Sequence, residues 1–176
     1  MASIRSRIGE KMKDRYLFKA KRLDNGEWVE GALFNGESHC IIGQEIKFSP
    51  YTEHECKIVG YEVDPSTICQ CTGLKDKNGN LIWENDIVDF LVHKGIVKYE
   101  CGSFGIAYRE CIDWEEIESN ICHVTGCDNA LYACENDNFI SLWEIYWNFN
   151  DEDDSVNTVE VIGNVFDNKE LLESEE

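Results

Sequence analysis

The amino-acid sequence predicts a mainly β protein, a β-rich α+β fold with a minor helical part. Three observations carry that prediction. Short runs alternate apolar and polar residues, as in Tyr16–Lys21 and Ile87–Val92, the period-two pattern of half-buried strands. The pairs Asn25-Gly26 and Asn78-Gly79 tolerate the positive φ that tight hairpin turns need. Between Ile87 and Tyr108, three short strands follow one another through Gly-containing turns, and such a meander is the raw material of a small barrel.

Taken in order, residues 1–13 are polar with Ile4, Ile8 and Met12 at helical spacing, which predicts a short helix or a mobile arm over 1–15. The segment YLFKAKRLDNGEWVEGALF, Tyr16 to Phe34, predicts a hairpin about Asn25-Gly26, with Trp28 opening the return strand. Gly36 and Gly43 punctuate two further short segments, HCII and EIKF. CKIVGYEV, Cys56 to Val63, predicts a strand closed by Asp64-Pro65, and STICQC predicts another. The stretch TGLKDKNGNLIWENDIVDF, Thr72 to Phe90, holds a second hairpin signal, the apolar patch Leu81–Trp83, an acidic step and a strand over Ile87–Val92. His93-Lys94-Gly95 reads as a turn, IVKYE as the returning strand and SFGIAY as a third. In ECIDWEEIES, Asp113 suits the cap of a short helix with Glu115 and Glu116 in its first turn. FISLWEIYWNF, Phe139 to Phe149, fits a strand or a buried helix, and periodicity alone does not decide. Asn150–Ser155 reads as an acidic loop, TVEVIGNV as a last strand, and DNKELLESEE as a helical turn capped at Asp167 or Asn168. The expected division is a β-rich subdomain over 16–70 and a second over 71–176, with no break in composition sharp enough to make them independent.

At 43% hydrophobic and 11% aromatic residues, the 176-residue chain can bury a core, which rules out wholesale disorder. It has no apolar run of membrane-spanning length, and its start lacks the apolar stretch of a signal peptide, so a cytoplasmic protein is expected. Nine cysteines without a secretion signal predict reduced, mostly buried thiols. The net charge of −19 is unevenly spread. Residues 1–23 carry a net +6, whereas residues 110–176 hold 19 Asp and Glu against Lys169 alone. So acidic a surface repels phosphate and disfavours duplex nucleic acid as a partner. It favours steering toward a basic partner, beside the plainer role of keeping the protein soluble.

Three segments, YLFKAKRLDNGEWVEG, CTGLKDKNGNLIWENDIVDF and VIGNVFDNKELLE, resemble in order the hallmarks of the YopX family, phage and prophage proteins of Gram-positive bacteria. The resemblance spans residues 16–173. It implies a β-rich fold with a small SH3-like barrel in the C-terminal part and an additional α+β part. It also implies self-association and no established activity. The residues that carry it are Trp28 in the first segment; Thr72, Gly73, Asp76, Gly79, Trp83, Glu84 and Asp86 in the second; Gly163, Asn164 and Asp167 in the third. Where the family usually has Glu-Gly-Asp, this chain has Glu84-Asn85-Asp86. Asn is the best non-Gly residue for a left-handed backbone, so the swap points to a turn that launches the next strand. An architectural purpose follows for this stretch, with a surface epitope around Asp76, Glu84 and Asp86 as the alternative.

Chemistry is weakly signalled. Cys69-x-Cys71, His54-x-Cys56 and Cys122-His123…Cys127 lack the paired C-x2-C spacing of structural zinc sites, so no metal or cofactor is expected, and Cys69, Cys71, Cys122 and Cys127 are the residues a weak site would use. His93 and His123 lie in no nucleophile–base motif, and no P-loop, dinucleotide fingerprint or H-E-x-x-H occurs. The aromatics Trp83, Phe90, Tyr99, Phe104 and Tyr108 either fill a small barrel or line a peptide groove. The expected function is a non-enzymatic, self-associating protein that binds a host or phage protein. An acidic nucleic-acid mimic aimed at a host DNA-binding enzyme is the alternative, and an enzyme of unrecognised type a third.

Overall fold

The computed structural model describes residues 14, 16–37, 39–48, 56–90, 93–100, 102–109, 138–149, 155–156 and 158–173. It is mainly β, and its antiparallel strands fall into two compact units, Met1–Gly73 and Leu74–Glu176. The readings made for residues 1–13, for ECIDWEEIES, for Cys122, His123 and Cys127, and for the acidic stretch 150–154 lie outside the described residues.

The first unit runs β1 (Phe18–Lys21), β2 (Trp28–Asn35), β3 (Cys40–Phe48), β4 (Cys56–Glu62) and the first part of β5 (Cys69–Asp76). Neighbours β1 to β4 pair antiparallel in sequence order, and β5 pairs with the free side of β1 through Phe18↔Gln70 and Lys19↔Cys69. The first hairpin forms where Asn25-Gly26 predicted it, but with a wider loop. Lys21 is the last residue paired, opposite Trp28, the Arg22 N–H donates to Glu27 O at 2.9 Å, and only Gly26 takes a positive φ, +73°. HCII and EIKF are one strand, because Gly43 is absorbed by a bulge at Gln44 between the pairs Gly43↔Gly60 and Glu45↔Val59. STICQC divides: Pro65–Thr67 is a 3-10 turn capped by Asp64, whose carboxylate accepts from the Ser66 N–H at 2.9 Å, and the strand starts at Cys69.

Small residues let these strands coil. A Cβ on Gly31 would lie 2.4 Å from Gly43 O, and one on Gly60 would lie 2.2 Å from Ile42 O. The curl carries the end of β4 back to β1, where Leu23 N–H donates to Glu62 O at 3.0 Å and Asp64 N–H to Lys21 O at 2.8 Å. Ala20, Val29, Ile42 and Val63 are buried inside, with Phe18, Leu33 and Ile68 against them.

The second unit contains the end of β5, β6 (Leu81–Trp83), β7 (Asp86–Phe90), β8 (His93–Glu100), β9 (Ser103–Ala107), β10 (Phe139–Ser141), helix α1 (Leu142–Phe149), β11 (Ser155–Val156) and β12 (Val159–Asn164). Five strands form a sheet in the order β10-β9-β8-β7-β12. The meander is therefore present, but its closure into an SH3-like barrel is not: among the described residues β10 and β12 end the path and no pairing joins them. His93-Lys94-Gly95 is strand rather than turn, since His93 already pairs with Phe90. The undecided segment Phe139–Phe149 is both elements in succession, strand to Ser141 and helix from Leu142. Ser141 makes the switch: its Oγ accepts from the Trp143 N–H at 3.2 Å, as a helix N-cap does. The core gathers Ile82, Val88, Phe90, Val97, Ile106, Ile140, Leu142, Ile145 and Val159, each at most 1% exposed, with Tyr108 at 8%. Phe90 and Tyr108 are thus core, as is Trp83 at 4%, whereas Tyr99 is 56% exposed.

Candidate functional site

The second and third patterned segments meet in one polar interlock built around Asp76. Asp76 ends β5 and opens a three-residue turn: its N–H donates to Asn80 O at 2.8 Å, Gly79 N–H donates to Asp76 O at 2.9 Å, and Gly79 supplies φ +82°. The buried Asp76 carboxylate then accepts from four donors. Oδ1 takes the N–H groups of Asn78 at 2.9 Å and Asn80 at 2.8 Å; Oδ2 takes Asn80 Nδ2 at 3.2 Å and the Val161 N–H at 3.1 Å. Burial pushes its pKa up, but the donors from Val161, Asn80 and Asn78 together outweigh burial and hold it below the usual carboxylate range. The hairpin tip is tied to β12 outside as well, by Lys77 Nζ on Glu160 Oε2 at 2.6 Å and Asn78 Nδ2 on Glu160 Oε1 at 3.2 Å.

The acidic step is a second clasp. Asn85 is the one non-glycine with positive φ among the described residues, +66°. Its N–H donates to Val97 O at 2.8 Å, its carbonyl accepts from Val165 N–H at 3.0 Å, and its Oδ1 accepts from Lys98 Nζ at 2.6 Å. Asp86 is 2% exposed and its Oδ2 accepts from Trp83 N–H at 2.9 Å, closing the turn on itself. Glu84 is half-buried in that turn. The third segment is a knot. Asn164 Oδ1 accepts from the N–H groups of Phe166 and Asp167, each at 3.0 Å, its Nδ2 donates to Asp167 at 3.1 Å, and Asn168 Oδ1 accepts from Asn164 N–H at 3.2 Å. A Cβ on Gly163 would lie 2.7 Å from that same Asn168 oxygen. Asn168, not Asp167, precedes the closing 3-10 turn Lys169–Leu172.

Asp76, Asp86 and the Asn164 amide oxygen accept from backbone N–H groups, and that arrangement positions strands. Of the remaining singled-out residues, Thr72 and Gly73 lie in β5, where Gly73 takes φ +80°. Trp28 belongs to the first unit, with Lys19 Nζ 5.3 Å and Lys21 Nζ 5.4 Å from its ring centroid. Cys69 and Cys71 are buried, Cys69 donating to Thr67 O and Cys71 accepting from Gly73 N–H, both at 3.4 Å. Among the described residues no group of three or more His, Cys, Asp and Glu stands ready to hold a metal.

Exposed aromatic surface supplies what the interlock does not. At the tip of the β8–β9 hairpin, Tyr99 pairs across from Phe104, the rings edge to face at 5.0 Å. On α1, which packs on β9, Trp143 stacks on Tyr146 at 6.2 Å and remains 59% exposed. Ser103 Oγ, beside Phe104, contacts Ser141 Oγ, at the helix cap, at 3.4 Å. Tyr99 and Trp143 are thus two exposed aromatics on this unit, each against a half-buried one.

The family model of the YopX protein matches residues 17–173. The chain belongs to the YopX family. A comparison with curated proteins finds no match. Within this YopX chain, the sequence left two features of the first unit unread. His39 Nδ1 lies 2.6 Å from Glu62 Oε1, beside an open groove of about 550 Å³ lined by Phe34, Asn35, Gly36, Glu37, His39 and Ile41. Arg22 stacks 3.9 Å over Tyr61 while paired to Asp24. Both join residues far apart in sequence, brought together by the register of β3 against β4 and by the bridge Arg22↔Val63. No helix among the described residues is long and apolar enough to cross a membrane.

Proposed function

We propose that this YopX chain is a non-enzymatic, self-associating binding protein that engages a host or phage protein in the bacterial cytoplasm. The observation that carries this is exposed aromatic surface: among the described residues of the second unit, Tyr99 and Trp143 are the two large apolar side chains more than half exposed. Aromatics so placed are the usual anchors of protein interfaces. The buried motif carboxylates Asp76 and Asp86 support the same reading, because each accepts from backbone N–H groups. The strand order β10-β9-β8-β7-β12, a meander whose last strand returns beside its first, is also the order that an SH3-like barrel would take, and we read the unit as such a barrel.

The test is affinity capture from a nuclease-treated lysate of a Gram-positive host, run in parallel with wild type and a Tyr99→Ser, Trp143→Ala double variant. A dominant protein held by wild type and lost by the variant is the expected result. Equal retention by both, or recovery of the bait alone, overturns it. The acidic-mimic reading rests on the 19 carboxylates of residues 110–176. It requires that the captured partner be a nucleic-acid-binding protein whose retention collapses steeply with salt.

A further inference from the structure

We infer that Asn25-Gly26, at the tip of the β1–β2 hairpin, is a site of self-modification, where the Asn25 amide closes on the next peptide and then opens to aspartate or isoaspartate. This chemistry does not depend on the binding reading above, and a comparison within the chain points to it. Both Asn-Gly pairs sit on hairpin tips, with Asn25 and Asn78 exposed. Both glycines have positive φ, and a Cβ on either would meet nothing within 4 Å, so the attacking nitrogen is uncrowded in each. Both glycine N–H groups are held alike, Gly26 on Arg22 O at 3.0 Å and Gly79 on Asp76 O at 2.9 Å. The backbone therefore favours neither pair, and the side-chain amides decide between them.

Asn25 Oδ1 accepts from the Glu27 N–H at 3.0 Å, which folds the amide back over the intervening Gly26 peptide and brings Cγ toward its nitrogen. In the reaction the Gly26 nitrogen gives up its proton and bonds to Asn25 Cγ. The Cγ–Nδ2 bond breaks, and Nδ2 leaves with that proton as ammonia. Water then opens the cyclic imide at either carbonyl. Negative charge develops on Oδ1, where the Glu27 N–H already donates. Glu27 Oε2 accepts from Nδ2 at 2.7 Å, so its carboxylate is in reach of the nitrogen that must gain the proton. Asn78 is turned the other way. Its Nδ2 reaches across to Glu160 Oε1 on β12 at 3.2 Å, a carboxylate already engaged by Lys77 Nζ at 2.6 Å. Among the described residues no group donates to Asn78 Oδ1. Conversion at Asn25 sets a new carboxylate against Glu27 where a hydrogen bond stood, beside Asp24, which pairs with Arg22.

The test incubates the full folded chain at mildly alkaline pH beside a sample unfolded in urea. Peptide mapping by mass spectrometry follows both sites over time, and enzymatic methylation reads isoaspartate. In the folded chain Asn25 should convert faster than Asn78 by about tenfold or more, less than one oxyanion donor contributes in an enzyme. In urea the two rates should approach each other, because the difference lies in the folded turns. Glu27→Gln keeps the backbone donor but cannot carry the proton. It should slow Asn25 by about threefold or more and leave Asn78, the internal control, unchanged. Glu27 is exposed, and unchanged circular dichroism checks the fold of the variant. No conversion at Asn25, an Asn78 rate equal to or above it, a preference that persists in urea, or an Asn25 rate indifferent to Glu27→Gln overturns the assignment.

Discussion

At the scale of single residues, Asp76 carries the sharpest energetic argument. One buried carboxylate satisfies three backbone N–H groups and one side-chain amide. Replacing it with Asn keeps the volume but turns one acceptor oxygen into a donor facing other donors. Charged hydrogen bonds of this kind contribute about 1.5–3 kcal/mol each, and a stranded donor costs on the same order, so Asp76→Asn is expected to destabilise by about 2–4 kcal/mol in urea unfolding. A loss under about 0.5 kcal/mol would contradict the interlock. The pH dependence follows from the same bonds. The folded pKa lies below the unfolded one, so the contribution is complete above the unfolded value of about 4 and is lost as pH falls through the folded value. The stability gap between wild type and Asp76→Asn should therefore narrow as pH falls below about 4, and a gap that stays constant would show that the charge is irrelevant. Asn85 allows a cleaner backbone test. Its φ of +66° costs a residue with an ordinary Cβ about 1–2 kcal/mol, so Asn85→Ala should lose about that much. Asn85→Gly should lose little beyond the half-exposed bond to Lys98, and equal losses in the two variants would place the cost in that bond instead.

At the scale of elements, what was legible in the sequence was whatever depends on neighbours a few residues apart. Glycine after asparagine marked both hairpins, and Asn85, standing where the family pattern has Gly, marked a left-handed turn. What was not legible depends on register. Gly43 looked like punctuation between two segments because a bulge is a property of two strands, not one. His93-Lys94-Gly95 looked like a turn because Gly95 reads as a breaker. In the sheet its missing side chain makes room for Ile106 and Tyr108, which a Cβ there would meet at 2.3 and 3.1 Å. Phe139–Phe149 resisted assignment because three residues of strand and eight of helix share one apolar run, and the divider is a single hydroxyl, Ser141. The partners of Asp76 across β12 were equally invisible, since 85 residues separate it from Val161. The coil of the first unit gives this scale its prediction. Gly60→Ala forces a Cβ to within 2.2 Å of a backbone oxygen that no rotamer can move. Overpacking of that kind costs about 1–3 kcal/mol, and thermal unfolding of Gly60→Ala should show it. An unchanged midpoint would mean that the strands cross less closely than these distances state.

For the whole molecule, charge decides how folding and association answer to salt, and the two answers have opposite signs. Thirty-five carboxylates against 16 Lys and Arg leave −19, and folding concentrates that charge in a smaller volume. Self-repulsion of this kind opposes the compact state and is screened when the Debye length shrinks from about 14 Å at 0.05 M to about 4 Å at 0.5 M salt. Unfolding midpoints should therefore rise with sodium chloride over that range. The few favourable exposed pairs, such as Lys77–Glu160 and Arg22–Asp24, are too weak and too screened to reverse the trend. The proposed self-association, where it draws the net +6 of residues 1–23 to the net −18 of residues 110–176, is attractive and should weaken over the same range. One salt series, read by thermal unfolding at low protein concentration and by sedimentation at high concentration, separates the two effects. Stability that climbs while mass falls is the expected pattern. Stability and mass that climb together would instead assign the assembly to apolar contact alone and leave the acidic half of the chain to solubility.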